Sequence, residues 1–155
     1  MSIAVIALGS DLFGDEGLAV AASRVIAAMG FAGVEVIDPP PDGDLTGRDA
    51  LLVLEAVPGR NSHPGEIVEL RPEDLRDASR TGCRVAQALS DALAEADALG
   101  KGPGCIAGLA MTAEDLEEGC GLTAVVYTRM PEMVGRALEI LERWGAIPTR
   151  ALNQS

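Results

Sequence analysis

Three carboxylates crowd one short loop near the start of this chain. The stretch Gly9-Ser10-Asp11-Leu12-Phe13-Gly14-Asp15-Glu16-Gly17 follows an apolar run and precedes a helical pattern. A phosphate cradle is the first use to consider. The loop is not GxGxxG and has no closing Gly-Lys-Ser/Thr, and three acids beside a helix N-terminus repel a pyrophosphate. A nucleotide site is therefore not expected. A structural use is the second. Asp is a good helix cap, and acids in a first turn interact favourably with the helix dipole. That accounts for one acid more comfortably than for two.

A fourth carboxylate bears on the choice. Glu55 closes the apolar run Leu51-Leu52-Val53-Leu54-Glu55-Ala56-Val57. Such a carboxylate is costly unless something pairs with it. First and third strands are neighbours in flavodoxin-like sheets, where ligands bind at the carboxyl ends of strands. In that arrangement Glu16 and Glu55 face one another. Two carboxylates brought together either share a proton or bind a cation. The rival explanation is a local ion pair of Glu55 with Arg48 or Arg60.

The elements that must position these residues read as follows. Residues 3–8 form a continuous apolar run rich in β-branched types, the pattern of a strand buried on both faces. Leu18, Ala22, Val25, Ile26 and Met29 fall at helical spacing, with Gly30 as the stop. Strands are expected at 33–37, 50–56, 65–70 and 104–110, the fourth more exposed than the others. A helical turn opens at Pro72, and helices span 82–98 and 131–144. Strands alternating with helices predict a three-layer α/β domain. Its mostly parallel, twisted sheet has about five strands and helices on both faces, in the phosphorylase/hydrolase- or flavodoxin-like manner. Residues 1–144 read as one domain and 145–155 as a loosely held tail.

Composition narrows the class. A chain of 155 residues suits one domain with a real core. With 48% hydrophobic residues but only 3% aromatics, that core is built from Ala, Val, Leu and Ile. The formal net charge of -12 argues against nucleic acid or an anionic membrane as partner. No apolar run reaches the roughly 20 residues of a membrane helix, and the opening MSIAVIALG lacks the basic region of a signal peptide. Cys83, Cys105 and Cys120 are odd in number and form no CxxC pair, which suits a reducing cytoplasm.

These features, in this order, resemble the maturation endopeptidases of nickel-iron hydrogenases. Gly9, Asp15, Glu16 and Gly17 match that family's first loop, and Glu55-Ala56 stands where the family has Asp-Ala. Pro64-Gly65-Glu66-Ile67, Leu116-Glu117 and Gly121-Leu122-Thr123 are similar to later segments of the pattern. The resemblance spans nearly the whole chain. It implies an endopeptidase that removes a C-terminal extension from the hydrogenase large subunit once nickel has been installed. It further implies that the nickel arrives with the substrate, so that no permanent cofactor is expected, and that Glu16 and Glu55 contact it. Gly9, Ser10, Asp15 and Gly17 then support the loop.

The chain departs from the family in three places. The family's loop Asn is Ser10. The segment between Asp38 and Glu55 is shorter and carries Pro39-Pro40-Pro41, so that the second helix is reduced to a turn near Asp44–Gly47. The third metal-contacting position, a histidine in the family, aligns with Thr81. Nickel prefers nitrogen and sulfur donors to carboxylate oxygen alone. Three compensations are open: cysteines of the substrate itself, the Cys83 thiolate, or an imidazole from His63. The plainer reading makes His63 an exposed loop residue and Cys83 a small core residue. Asp11, Arg60 and Arg84 are candidates for partner contact, although surface charge explains them equally well. The missing histidine also motivates an alternative, a non-catalytic accessory or chaperone-like homologue that binds the large subunit without cleaving it.

Overall fold

The computed structural model describes residues 1–9, 14, 17–40, 42–58, 63–77, 84–114 and 121–149. Five strands run through it: β1 (Ile3–Leu8), β2 (Val34–Ile37), β3 (Ala50–Val57), β4 (Ile67–Leu70) and β5 (Cys105–Thr112). Four helices accompany them: α1 (Gly17–Met29), α2 (Pro72–Arg76), α3 (Arg84–Ala98) and α4 (Ala124–Arg143). The sheet order is β2-β1-β3-β5-β4. All neighbours are parallel except β4, which runs antiparallel to β5 at the sheet edge. The expected mostly parallel α/β architecture is therefore present, with β1 and β3 adjacent.

Strand alternation splits the core into two layers. Val5, Leu52, Leu54, Leu109 and Met111 face α1 and α4, where Leu18, Ile26, Met133, Ala137 and Leu141 close over them. Ile6, Leu8, Leu51, Val53 and Ile106 face the other way, under Leu75 of α2 and Leu89 and Leu93 of α3. The central strands are buried on both sides because both faces carry helices, which is why their sequences are apolar throughout rather than alternating. β4 shows the opposite pattern. As an edge strand it buries Ile67 and leaves Val68 exposed.

Two sequence expectations change. The last helix was expected at 131–144 but begins at Ala124, so that Pro131 lies inside it. An interior proline removes one backbone hydrogen bond. Here Val126 is fully buried ahead of the proline and extends the apolar face by more than a turn, which offsets that loss. The fifth strand continues past Ala110 to Thr112, drawn on by its ladder with β3. Of the expected tail 145–155, residues 145–149 are described, and they bond back to the α1–β2 turn. Thr149 N–H donates to Gly30 O at 2.7 Å, Ala32 N–H donates to Ile147 O, and Phe31 pairs with Pro148.

The shortened connection between β2 and β3 forms turns rather than a helix among its described residues. Asp44 organises one of them, accepting from Thr46 N–H at 2.9 Å and from Thr46 Oγ1 at 2.7 Å. These bonds to the charged form hold the Asp44 carboxyl below its ordinary value, the backbone N–H most strongly. No helix among the described residues is long and apolar enough to cross a membrane.

Candidate functional site

The carboxyl ends of β1, β3 and β5 lie side by side at one end of the sheet. Glu55 sits there. It is only 4% exposed, although it carries a carboxyl group and follows five buried apolar residues. Its register partners are Leu8 on β1 and Ala110 on β5. Alternation with Leu51 and Val53 puts it on the sheet face covered by α2 and α3. A buried carboxylate must be held by polar or charged neighbours to persist, and Glu55 is so engaged. Of its two rivals for an ion pair, Arg48 bonds elsewhere: Nη1 meets Glu35 Oε2 at 2.9 Å, before the start of β3. Arg60 lies outside the described residues.

The first loop leaves the sheet directly beside Glu55. Gly9 follows Leu8 with φ of 150°, a conformation rarely open to a residue with Cβ. The loop closes at Gly17, buried at the start of α1, and the next residue, Leu18, is packed in the core. Both boundaries of the carboxylate loop are thus fixed by strand and helix. Ser10, Asp11, Asp15 and Glu16 lie outside the described residues, as do Thr81 and Cys83. Arg84 opens α3, which covers Glu55's face of the sheet.

His63 is placed at the same end of the sheet. Its turn is tied to β5, since Gly65 N–H donates to Thr112 O at 2.8 Å and Thr112 N–H donates to Glu66 O at 2.8 Å. The side chain is exposed, and its backbone N–H meets Glu66 Oε2 at 3.3 Å. Beneath it, Gly65 adopts φ of 86° and lies against α4, where a Cβ would stand 2.9 Å from Arg129 Cγ. Arg129 Nε donates to Gly65 O at 3.2 Å, which fastens the turn to the helix. Cys105 lies at the far end of β5, half-buried and away from the site. Among the described residues, no three His, Cys, Asp or Glu side chains gather into a metal site.

One polar residue of this region was missed from sequence. Thr112 is 2% exposed and shares Glu55's face at the carboxyl end of β5. Its signal is the same as that of Glu55, a polar side chain closing an apolar strand.

No protein-family model matches the chain. It is similar, however, to the hydrogenase 2 maturation protease of Escherichia coli (strain K12), with 26% identity over 171 aligned residues covering 99% of each protein. Its fold matches the hydrogenase-maturating endopeptidase HybD from Escherichia coli with a TM-score of 0.85 at 25% identity, over 96% of this chain and 98% of that one. The NiFe hydrogenase maturation protease HybD from Thermococcus kodakarensis shares the fold with a TM-score of 0.72 at 21% identity, over 90% and 99% of the two chains. The chain is thus similar over nearly its whole length to proteins named as hydrogenase maturation proteases, and it shares their α/β fold.

Proposed function

We propose that this chain is a hydrogenase maturation endopeptidase, acting on the nickel-loaded precursor of a nickel-iron hydrogenase large subunit and removing its C-terminal extension. The observation that carries this reading is the buried carboxylate of Glu55, held at the carboxyl end of β3 beside the root of the first loop. Whole-length similarity to proteases of this kind supports it.

In this reading Glu16 and Glu55 supply carboxylate oxygens to the substrate's nickel. The substrate's own cysteines supply the softer donors that nickel prefers, which compensates for Thr81 standing at the histidine position. The bound metal orients and polarises the scissile peptide. One carboxylate assists the attacking water as general base, and the proton passes to the departing amine. Water is thereby added across the peptide bond, leaving a new C-terminal carboxylate and a free amine on the released extension. Nickel is part of the substrate here, and the protein needs no resident cofactor. The cytoplasm is the setting we assign.

The experiment is an incubation of the wild-type chain with a nickel-loaded and a nickel-free large-subunit precursor, read by mass spectrometry. The expected result is loss of the C-terminal extension from the nickel-loaded form alone. A nickel-loaded precursor left intact would overturn the reading, and stable binding without cleavage would instead indicate an accessory protein.

A further inference from the structure

We propose that the outer edge of β5 at Cys105–Ala107 is a docking slot for an extended, carboxylate-bearing peptide of a partner protein, added to the sheet as a strand and held by Arg71 and Arg143. The slot lies at the end of the sheet away from Glu55, and the proposal stands independently of the endopeptidase reading.

β4 covers only part of β5. The ladder between them runs from the Ile67–Met111 pair to the Leu70–Gly108 pair and stops there, whereas β5 begins at Cys105. Continuing the same register would put Pro72 opposite Ile106. Proline has no N–H to give to a ladder, and Pro72 opens α2 instead. Residues 105–107 of β5 therefore extend beyond their edge partner by roughly 10 Å of strand.

Ile106 is the residue whose backbone faces outward there. Thr112 N–H donates to Glu66 O on the β4 side, and Cys105 N–H donates to Asp49 O on the β3 side. Backbone groups alternate in direction along a strand. The Ile106 N–H and C=O thus point to the β4 side, past the end of β4. Among the described residues, no backbone bond closes that side of Ile106. An outward donor and acceptor on an edge strand are the template to which another strand adds.

The edge opens on space. A cleft of about 490 Å³ runs along it, lined by Cys105, Ile106 and Ala107 together with Arg71, Arg143 and Trp144. Trp144 packs against the core, so one wall is a fixed aromatic ring. The two guanidiniums set the chemistry. The chain carries a formal net charge of -12, yet the described residues of this cleft include two arginines and one acid, Glu69. The ion pairs of these arginines are long and exposed. Arg143 meets Glu69 at 3.6 Å, and Arg71 meets Glu73 at 3.6 Å and Asp74 at 3.8 Å. Exposed pairs of this kind hold a side chain weakly. A peptide carboxylate can therefore exchange into them and take the paired donors that a guanidinium offers. A basic segment would meet two like charges in the same place.

The test is an amide NMR titration of the whole chain with the peptide acetyl-Val-Thr-Val-Glu bearing a free C-terminus. The expected result is a saturable shift of the Ile106 amide, centred on residues 105–107, with a Kd below about 1 mM. The same peptide N-methylated at every residue should not bind, because it cannot form a ladder. Neutralising both peptide carboxylates, by a C-terminal amide and by glutamine in place of glutamate, should weaken binding by about fivefold or more. Each change made singly tells a terminal carboxylate from a side-chain one. Arg71→Gln together with Arg143→Gln should weaken binding to the same degree, with cooperative unfolding like the wild type showing an intact fold. Absence of a saturable shift at Ile106 overturns the proposal. So does an affinity unchanged by N-methylation, by neutralisation of both carboxylates or in the double variant.

Discussion

Glu55 stands in register with Leu8, one residue before the glycine at which β1 passes into the loop carrying Glu16. A carboxyl group is thereby buried next to the root of an acidic loop, at the carboxyl end of the strands where α/β folds bind ligands. The β1–β3 pairing is what brings the root of that loop beside Glu55.

The sheet on which this depends is most sensitive at its centre. Leu54, fully buried beside Glu55, is expected to destabilise the protein by about 2–5 kcal/mol when changed to Ala. Val68→Ala, on the exposed edge strand, is expected to change stability by less than about 0.5 kcal/mol. Urea unfolding of both variants measures the contrast. Equal effects would contradict the assignment of β3 to the centre and β4 to the edge.

Much of this architecture is legible in the sequence. The runs at 3–8 and 50–56 announced buried parallel strands, and Glu55 was conspicuous because a carboxylate interrupted one of them. The reach of α4 was not legible, since Pro131 marks a helix start in local terms and only the burial of Val126 reveals the earlier turns. Thr112 was hidden for a similar reason. A threonine after Met111 reads as the end of a strand until the ladder with Val57 includes it. The return of residues 145–149 to the α1–β2 turn depends on long-range backbone bonds that carry no local pattern. The carboxylate loop itself was found by residue type, and the structure contributes its two fixed ends, Gly9 and Gly17.

The 63–66 turn holds its shape through one glycine. Gly65→Ala meets two penalties, a left-handed backbone and a Cβ 2.9 Å from Arg129 Cγ. We expect it to destabilise by at least about 1 kcal/mol. In an Arg129→Ala background the side-chain clash is removed and the backbone penalty stays, so the added cost of Gly65→Ala should shrink without vanishing. A double-mutant cycle reads this coupling. Strict additivity would mean that Arg129 does not crowd the turn.

His63 is exposed on that turn and its backbone is held by Glu66. His63→Ala is therefore expected to cleave the nickel-loaded precursor within about twofold of the wild-type rate. A loss beyond about tenfold would mean that its imidazole takes the place of the absent family histidine.

Asp44 supplies a pH dependence away from the site. Bonds from Thr46 lower its pKa from the ordinary 3.8, so it binds protons less readily folded than unfolded. Its contribution to stability is present above the unfolded value and is lost as pH falls through the lower folded one. By NMR titration the Asp44 carboxyl should titrate below 3.8 and move upward in Thr46→Val, which removes the hydroxyl donor but keeps the stronger backbone one. No movement would show that the hydroxyl does not bond the carboxylate in solution.

The central claim concerns the Glu55 carboxylate, and one measurement addresses it most directly: single-turnover cleavage of a nickel-loaded large-subunit precursor by wild-type and Glu55→Gln protein. Glutamine keeps the shape of the side chain and removes its charge and its capacity as a base. The account predicts that Glu55→Gln folds and still binds the precursor while its cleavage rate falls by roughly a hundredfold or more. A Glu55→Gln variant that releases the C-terminal extension at the wild-type rate would contradict it.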